Sequence, residues 1–497
     1  MRLKDDLPPT RFEFPRGYGA ASIPATGDRN KPLASIWWTK EDVLAKASLA
    51  HADGSILLGR VDQSMIGLRD NRHLVTIAGS RGGKSSCLLI PNLLLYPGSA
   101  LVIDPKGELA SATAAWRAEL GQNVRVLDPW RVAGVPDDLR STYDPIAELR
   151  ENPGNLVDNA DLLADALIIG SERDPHWTDA ARALLRALIL WLAIDTDWSG
   201  GALTDLPSAL ARIMEESKAE LGGLLGELAA IEGQAYDGVQ PEALAIIRDQ
   251  ARMMIGSNDR ERASILSTAR TQLAFLESPA MRANLAGSSL RLPDLKRAPT
   301  TIYLCLPASR MGTHSRWLRL FVNLAMAALE ATPATGAHAV LFVLEEFAAL
   351  GHMRALEHAV AYMAGYGVKL WAVLQDLTQL KRHYKDGWET FLGNAGIVQA
   401  FSVADLTSCE YLSKRLGETT FQITNKVEVS ARQGLEGDTG LRREFKSAPL
   451  LSPDELARKF ARVSDGQGGS AGGLALVLVA GAHPFVVDRI FWKELVQ

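Results

Sequence analysis

At 497 residues, with 47% hydrophobic and 22% charged side chains, the chain has the make-up of a globular protein and the length for two domains or more. Its formal charge of −5 gives no overall sign of polyanion binding, so such a partner would need a local basic surface. Cys87, Cys305 and Cys409 are odd in number and far apart, which suits a reducing compartment and argues against a disulfide framework or a thiolate zinc site.

The amino terminus, Met1 to Pro9, is charged and proline-rich and lacks the apolar centre of a signal peptide. The longest apolar run, Ala187–Ile194, falls well short of the roughly 20 residues that span a bilayer. The expectation is a cytoplasmic protein with no transmembrane segment of its own, peripheral at the inner membrane only through a partner. Residues 1–70 read as an irregular N-terminal segment, rich in Pro, Gly and Asp, with a helix near Lys40–Ala50.

Strands and helices then alternate: strand His73–Ala78, helix Lys84–Leu95, strand Ala100–Ile103, helix Glu108–Leu120, strand Val124–Leu127. Short apolar runs separated by amphipathic helices predict a mostly parallel sheet with right-handed crossovers. We take residues 71–151 as the first part of a nucleotide-binding domain. Residues 152–290 carry only helical periods, at Asn155–Ile169, Trp177–Ile194, Ser208–Ala230, Glu242–Ile255 and Glu261–Leu276, and predict an inserted all-α domain. The α/β texture returns over residues 291–497, the second part of the nucleotide-binding domain. Its predicted elements are strand Thr301–Leu306, helix Ser315–Ala331, strand Ala339–Leu344, helix Arg354–Ala364, strands Lys369–Leu374 and Ile397–Phe401, and helix Asp405–Leu416. Thr419–Ser447, with Gly434–Gly440 inside it, reads as a hairpin or mobile loop, and Leu474–Val479 as a buried strand before an amphipathic end. Trp177, Trp191, Trp317 and Trp371 sit in apolar periods and are expected in the core.

The strand His73–Ala78 runs into Gly79, Ser80, Arg81, Gly82, Gly83, Lys84, Ser85 and Ser86. Such a loop turns successive backbone N–H groups toward one point, a cradle for the β-phosphate of a nucleotide such as ATP. Lys84 would reach the β- and γ-phosphates, Ser85 would offer its hydroxyl to Mg²⁺, and the helix that follows adds its positive end. The usual pattern begins with Gly five residues before Gly83; here Ala78 stands there and Gly79 is next.

Val340–Leu344 is an apolar strand ending in two acids, Glu345 and Glu346. In P-loop ATPases the first acid serves the Mg²⁺ sphere and the second polarises the attacking water. Gln375 ends a further strand, where a side chain touches the γ-phosphate or is a plain strand-end amide. Asp104 either supports the magnesium shell or caps the next helix. Arg382 and Arg415 are candidates for an arginine finger. Lys381–Lys385 with Arg442, Arg443 and Lys446 form either a solvated basic face or a DNA-tracking surface.

Together these motifs resemble the type IV coupling proteins, ATPases that deliver DNA and proteins to conjugation and type IV secretion channels. The resemblance is carried by Gly79–Ser85, Ile90–Leu93, Asp104–Glu108, Asp128–Pro129, His176–Trp177, Leu344–Gly351 and Met363–Gly367. It continues through Gln375–Leu380, Leu412–Gly417, Pro449–Glu455 and His483–Pro484. It implies a RecA-like P-loop domain with an inserted all-α domain, using ATP and Mg²⁺. It further implies a homo-hexamer when assembled; in isolation the chain is expected to be a monomer. The implied partners are single-stranded DNA with its relaxase, effector proteins, and inner-membrane components of the secretion system. Three positions depart from the pattern: no N-terminal transmembrane helices are read, Glu345 stands where Asp is usual, and Ala364 stands where some relatives carry Arg. The leading expectation is an ATP-driven DNA motor using Lys84, Glu346 and Gln375. The rival is a nucleotide-gated docking receptor for protein cargo with little hydrolysis.

Overall fold

The computed structural model describes residues 37–151, 153–170, 175–194, 201–216, 223–231, 240–426, 441–463 and 472–496. Its strands are β1 Ile56–Val61, β2 Ser64–Leu68, β3 His73–Ala78, β4 Ala100–Ile103, β5 Asn123–Leu127, β6 Thr300–Leu304 and β7 Val340–Leu344. They continue with β8 Val368–Leu374, β9 Ala395–Phe401, β10 Glu418–Lys426, β11 Leu441–Pro449, β12 Leu474–Val479 and β13 Phe485–Asp488. The chain divides into two compact units, Met1–Tyr96 with Trp371–Gln497, and Pro97–Leu370, so the boundary falls within β8.

In the first unit β3 lies between two parallel neighbours, β9 and the end of β8, in register from Leu74↔Trp371 to Ile77↔Leu374. Strand β12 then pairs antiparallel with β9, β13 with β12, β1 with β13 and β2 with β1. The mostly parallel expectation therefore meets a four-strand antiparallel flank, and the fold is a RecA-like α/β fold with a mixed sheet. Two of those flanking strands form a hairpin, β1–β2, inside the segment read as irregular. Its alternation is masked because every residue of β1 is buried. Strand β13 replaces the amphipathic end.

Helix starts in this unit are chemically explicit. Asp376 accepts from Gln379 N (2.9 Å) ahead of helix Leu377–Tyr384, and Asp405 accepts from Ser408 N (2.8 Å) ahead of Leu406–Leu416. Ser452 and Glu455 form a capping box for Pro453–Lys459. The predicted hairpin is the antiparallel pair β10–β11; its tip, Gly434–Gly440, lies outside the described residues.

In the second unit β7, β4, β6 and β5 are adjacent in that order and all parallel. Every residue of β4, β6 and β7 is buried, as expected of strands covered on both faces. The core includes Phe342, Tyr303, Trp317 and Phe321. Between β5 and β6 the described residues form helices without strands, the longer ones being Leu156–Leu167, Pro175–Ile194, Leu206–Glu216, Pro241–Gly256 and Asp259–Leu273. The helix expected over Ser208–Ala230 is two, Leu206–Glu216 and Leu224–Ala229, the second opened by extended Gly223. Trp191, Trp317 and Trp371 are core residues as expected. Trp177 is not: it is half-exposed and lines an open cleft of about 450 Å³ with Arg260, Ser264, Ser267 and Thr268. No helix among the described residues is long and apolar enough to cross a membrane.

Candidate nucleotide-binding site

The loop after β3 has no room for side chains at two points. A Cβ on Gly79 would lie 2.2 Å from the carbonyl oxygen of Ser402, and one on Gly82 would lie 2.8 Å from Ser402 Cβ. Gly82 N donates to Gly79 O (3.1 Å), and both Arg81 (φ 56°) and Gly83 (φ 89°) take left-handed backbone. Alternating handedness of this kind turns consecutive N–H groups to one side, the nest that binds anions. Lys84 is 9% exposed and folds back so that its Nζ donates to Ala78 O at 3.3 Å. The ammonium thus stands across the loop mouth. Ser85 begins the helix, whose first turn, Ser85–Leu89, is a π-turn before the α-helix Ile90–Leu95. Cys87 N donates to Gly83 O (2.8 Å), which joins the loop to that helix.

Gln375 follows the registered pair Ile77↔Leu374, so the strand neighbour delivers it beside Ala78 at the loop's edge. Ser402, one residue past β9, holds φ 53°, and its N donates to Phe460 O (2.6 Å). Its buried Oγ has no hydrogen-bond partner among the described residues. Lys84, Ser85 and Gln375 are therefore brought together, with Ser402 as an unforeseen neighbour. The strand-end rule that singled out Gln375 would also have found Ser402, one residue beyond a predicted strand. Asn92 is structural: it accepts from Leu57 N (2.8 Å) and donates to Leu57 O (3.0 Å) and Leu88 O (2.9 Å), fastening the loop's helix to β1.

Glu345 and Glu346 belong to the second unit. Glu345 is 7% exposed; Glu346 is half-buried in left-handed backbone (φ 55°), and its main-chain carbonyl accepts from Ala349 N (2.8 Å). Arg319, buried in helix Met311–Ala331, donates to Leu350 O (2.9 Å) and His352 O (2.7 Å), holding the far end of the 3-10 turn Phe347–Leu350 that follows the two acids. The register Ile103↔Leu344 places Asp104 level with Glu345. Asp104 Oδ2 accepts from Ala110 N (2.8 Å), whereas Oδ1 is buried without a hydrogen-bond partner among the described residues. Burial pushes this carboxyl up to about 6. The cap expected of Asp104 is thus present, and one oxygen is left over. Asp104 and Glu345 offer the oxygen chemistry that a hydrated Mg²⁺ takes, in which phosphates and waters complete the shell. No cluster of three or more His, Cys, Asp or Glu occurs among the described residues, and such a shell does not need one.

The candidate arginine fingers are surface groups: Arg382 is exposed, and exposed Arg415 donates to the Tyr411 hydroxyl (3.3 Å). Lys381 stands 4.5 Å from the centroid of the Trp388 ring, which meets Tyr411 edge-on at 5.2 Å. Lys446 is exposed; Arg442 and Arg443 lie on β11. The three cysteines are buried and unbridged.

Residues 34–495 match the family model described as type IV secretory system conjugative DNA transfer. The chain belongs to that family. Among curated relatives, conjugal transfer protein TraG of Escherichia coli is 27% identical over 442 residues, covering 85% of this chain and 67% of that protein. Protein VirD4 of Rhizobium radiobacter is 28% identical over 426 residues, covering 84% of this chain and 56% of the relative. The fold matches the bacterial conjugative coupling protein TrwBdeltaN70 in its unbound form, with a TM-score of 0.61, 17% identity and 91% and 90% of the two chains covered. It matches TrwB in complex with ADP and Mg²⁺ equally well (TM-score 0.61, 16% identity, 91% of each chain covered). This chain thus has the fold of that coupling protein and belongs to the type IV secretory system conjugative DNA transfer family.

Proposed function

We propose that the chain is an ATP-hydrolysing coupling protein that drives relaxase-bound single-stranded DNA, or protein substrates, toward a type IV secretion channel. The observation that carries this is the nest at Gly79–Gly83 with Lys84 folded across its mouth and Gln375 beside it. Mg²⁺, when bound, would neutralise negative charge that develops in phosphoryl transfer.

The chain's own groups do the rest. Backbone N–H groups of Gly79–Ser86 hold the β-phosphate, and the Lys84 ammonium meets the β- and γ-phosphate oxygens. Ser85 and Glu345 would hold the metal's shell when it is bound, with Asp104 as a further oxygen donor. Glu346 takes the proton of the attacking water, and Gln375 orients that water or reads the γ-phosphate. Residues 152–290 act as a helical insertion in the nucleotide-binding domain of residues 71–151 and 291–497. The working form is a homo-hexamer assembled with inner-membrane secretion components.

The test is ATP turnover with Mg²⁺, with and without single-stranded DNA, for wild type, Lys84→Ala and Glu346→Gln. The motor requires DNA-stimulated turnover that both variants lose, with ADP still bound by Glu346→Gln. Tight ATP binding with negligible turnover in wild type would favour the docking receptor instead.

A further inference from the structure

Arg489 follows β13, near the opposite end of the chain from the phosphate loop, yet its side chain ends on that loop. It is 2% exposed. One guanidinium nitrogen, Nη1, donates to Gly82 O across 407 positions of sequence; Nη2 donates to Gly472 O. The guanidinium carbon lies 4.4 Å from the centroid of the Phe401 ring, and Arg489 N donates to Gly473 O at 2.8 Å. All of these residues lie in the first unit.

Two physical consequences follow. A trans peptide is planar, with its C=O and N–H pointing opposite ways. Drawing the Gly82 carbonyl back onto Arg489 therefore turns the Gly83 N–H the other way, away from the guanidinium. Gly83 O is separately engaged by Cys87 N (2.8 Å), so both sides of Gly83 are oriented. The second consequence concerns charge. Burial lowers this guanidinium to about 10, so it stays protonated at neutral pH. Among the described residues it donates to carbonyl oxygens, faces an aromatic ring and neighbours the Cys87 thiol, which burial keeps protonated, with no carboxylate in ion-pair distance. A buried cation that lacks a neutralising acid is costly, and an arriving anion relieves that cost.

We infer that Arg489 is a positioning residue of the nucleotide site: it sets the Gly82–Gly83 peptide in its anion-binding orientation and lends the loop a buried positive charge. This rests on the ATPase reading above and names a residue for it that no loop motif contains. The site is thereby completed by the carboxyl-terminal strand, so ordering of β13 and nucleotide binding are linked.

The experiment is equilibrium binding of a fluorescent ADP with Mg²⁺, alongside thermal unfolding without nucleotide, for wild type, Arg489→Met and Arg489→Lys. Losing one correctly aimed charge-assisted hydrogen bond predicts that Arg489→Met binds ADP about 10- to 100-fold more weakly. Arg489→Lys keeps a cation and one donor for Gly82 O and should recover part of that loss. A residue that only braced the strand would lower the unfolding temperature of both variants and leave the ADP constant unchanged. That result, in folded protein, overturns the inference. Should Arg489→Met not fold, Phe401→Leu removes the ring face beneath the guanidinium while keeping the charge. It should weaken ADP a few-fold, and an unchanged constant would overturn the inference equally. Wild-type protein that fails to bind ADP would instead bring down the ATPase reading itself.

Discussion

Gly79→Ala and Ala78→Gly, neighbouring exchanges of a single methyl group, should have opposite consequences. At position 79 the added Cβ would stand 2.2 Å from Ser402 O. Carbon–oxygen contacts settle at about 3.3 Å or more, so something must move by about 1 Å. Ser402 cannot easily yield, because its left-handed backbone (φ 53°) is tied through its N–H to Phe460 O at 2.6 Å. The phosphate loop must therefore shift. Overpacking of this kind costs about 1–3 kcal/mol, and a displacement of about 1 Å in a positioned site costs on the order of 100-fold in rate. Ala78, in contrast, is the last residue of β3 and fully buried, and conversion to Gly costs only about 0.5–1 kcal/mol of backbone entropy. Titration calorimetry with ADP and Mg²⁺, paired with ATP turnover, reads both variants. We expect Gly79→Ala to lose at least 10-fold in affinity while Ala78→Gly stays near wild type. If Gly79→Ala binds ADP as wild type does, the close packing of Ser402 on the loop is not what shapes it.

Asn92→Ala leaves the N–H and C=O of buried Leu57 without their partner. It should lower stability by about 2–5 kcal/mol, read as a shifted denaturation midpoint. Asp104, whose carboxyl is raised from 3.8 to about 6, binds more protons folded than unfolded between those values. Its contribution to stability therefore falls as pH rises from about 4 to about 6, by about 3 kcal/mol in total. Asp104→Asn should remove that slope, giving a variant less sensitive to this pH change than wild type; parallel unfolding profiles would contradict it. Arg382→Ala and Arg415→Ala should leave ADP binding intact. Whichever serves as the finger should lose about 10³-fold in turnover, whereas two fully active variants would place the finger elsewhere.

Much of this protein is written locally. Gly79, Gly82 and Gly83 sit where the backbone needs φ above zero or no Cβ; Lys84 and Ser85 follow at a spacing that one loop enforces. The cap Asp405 marks the start of a helix by bonding three residues ahead, and the parallel strands announce themselves as short apolar runs. Such features depend on φ, ψ and neighbours within a turn or two, so a linear reading reaches them. Other features are properties of packing. Strand β13 fills the edge that β12 leaves, and the hairpin β1–β2 fills the edge that β13 leaves in turn; an edge has no signature in the strand that fills it. Asn92 looks like any helix polar residue until β1 lies beside it, and Asp104 keeps an orphan oxygen only because burial and the register of β4 with β7 put it there. Arg489 reaches Gly82 across hundreds of positions, and past the two strands, β12 and β9, that the sheet order sets between β13 and β3. Long-range pairing is decided by the total burial and hydrogen bonding of the finished sheet, quantities that no segment carries by itself.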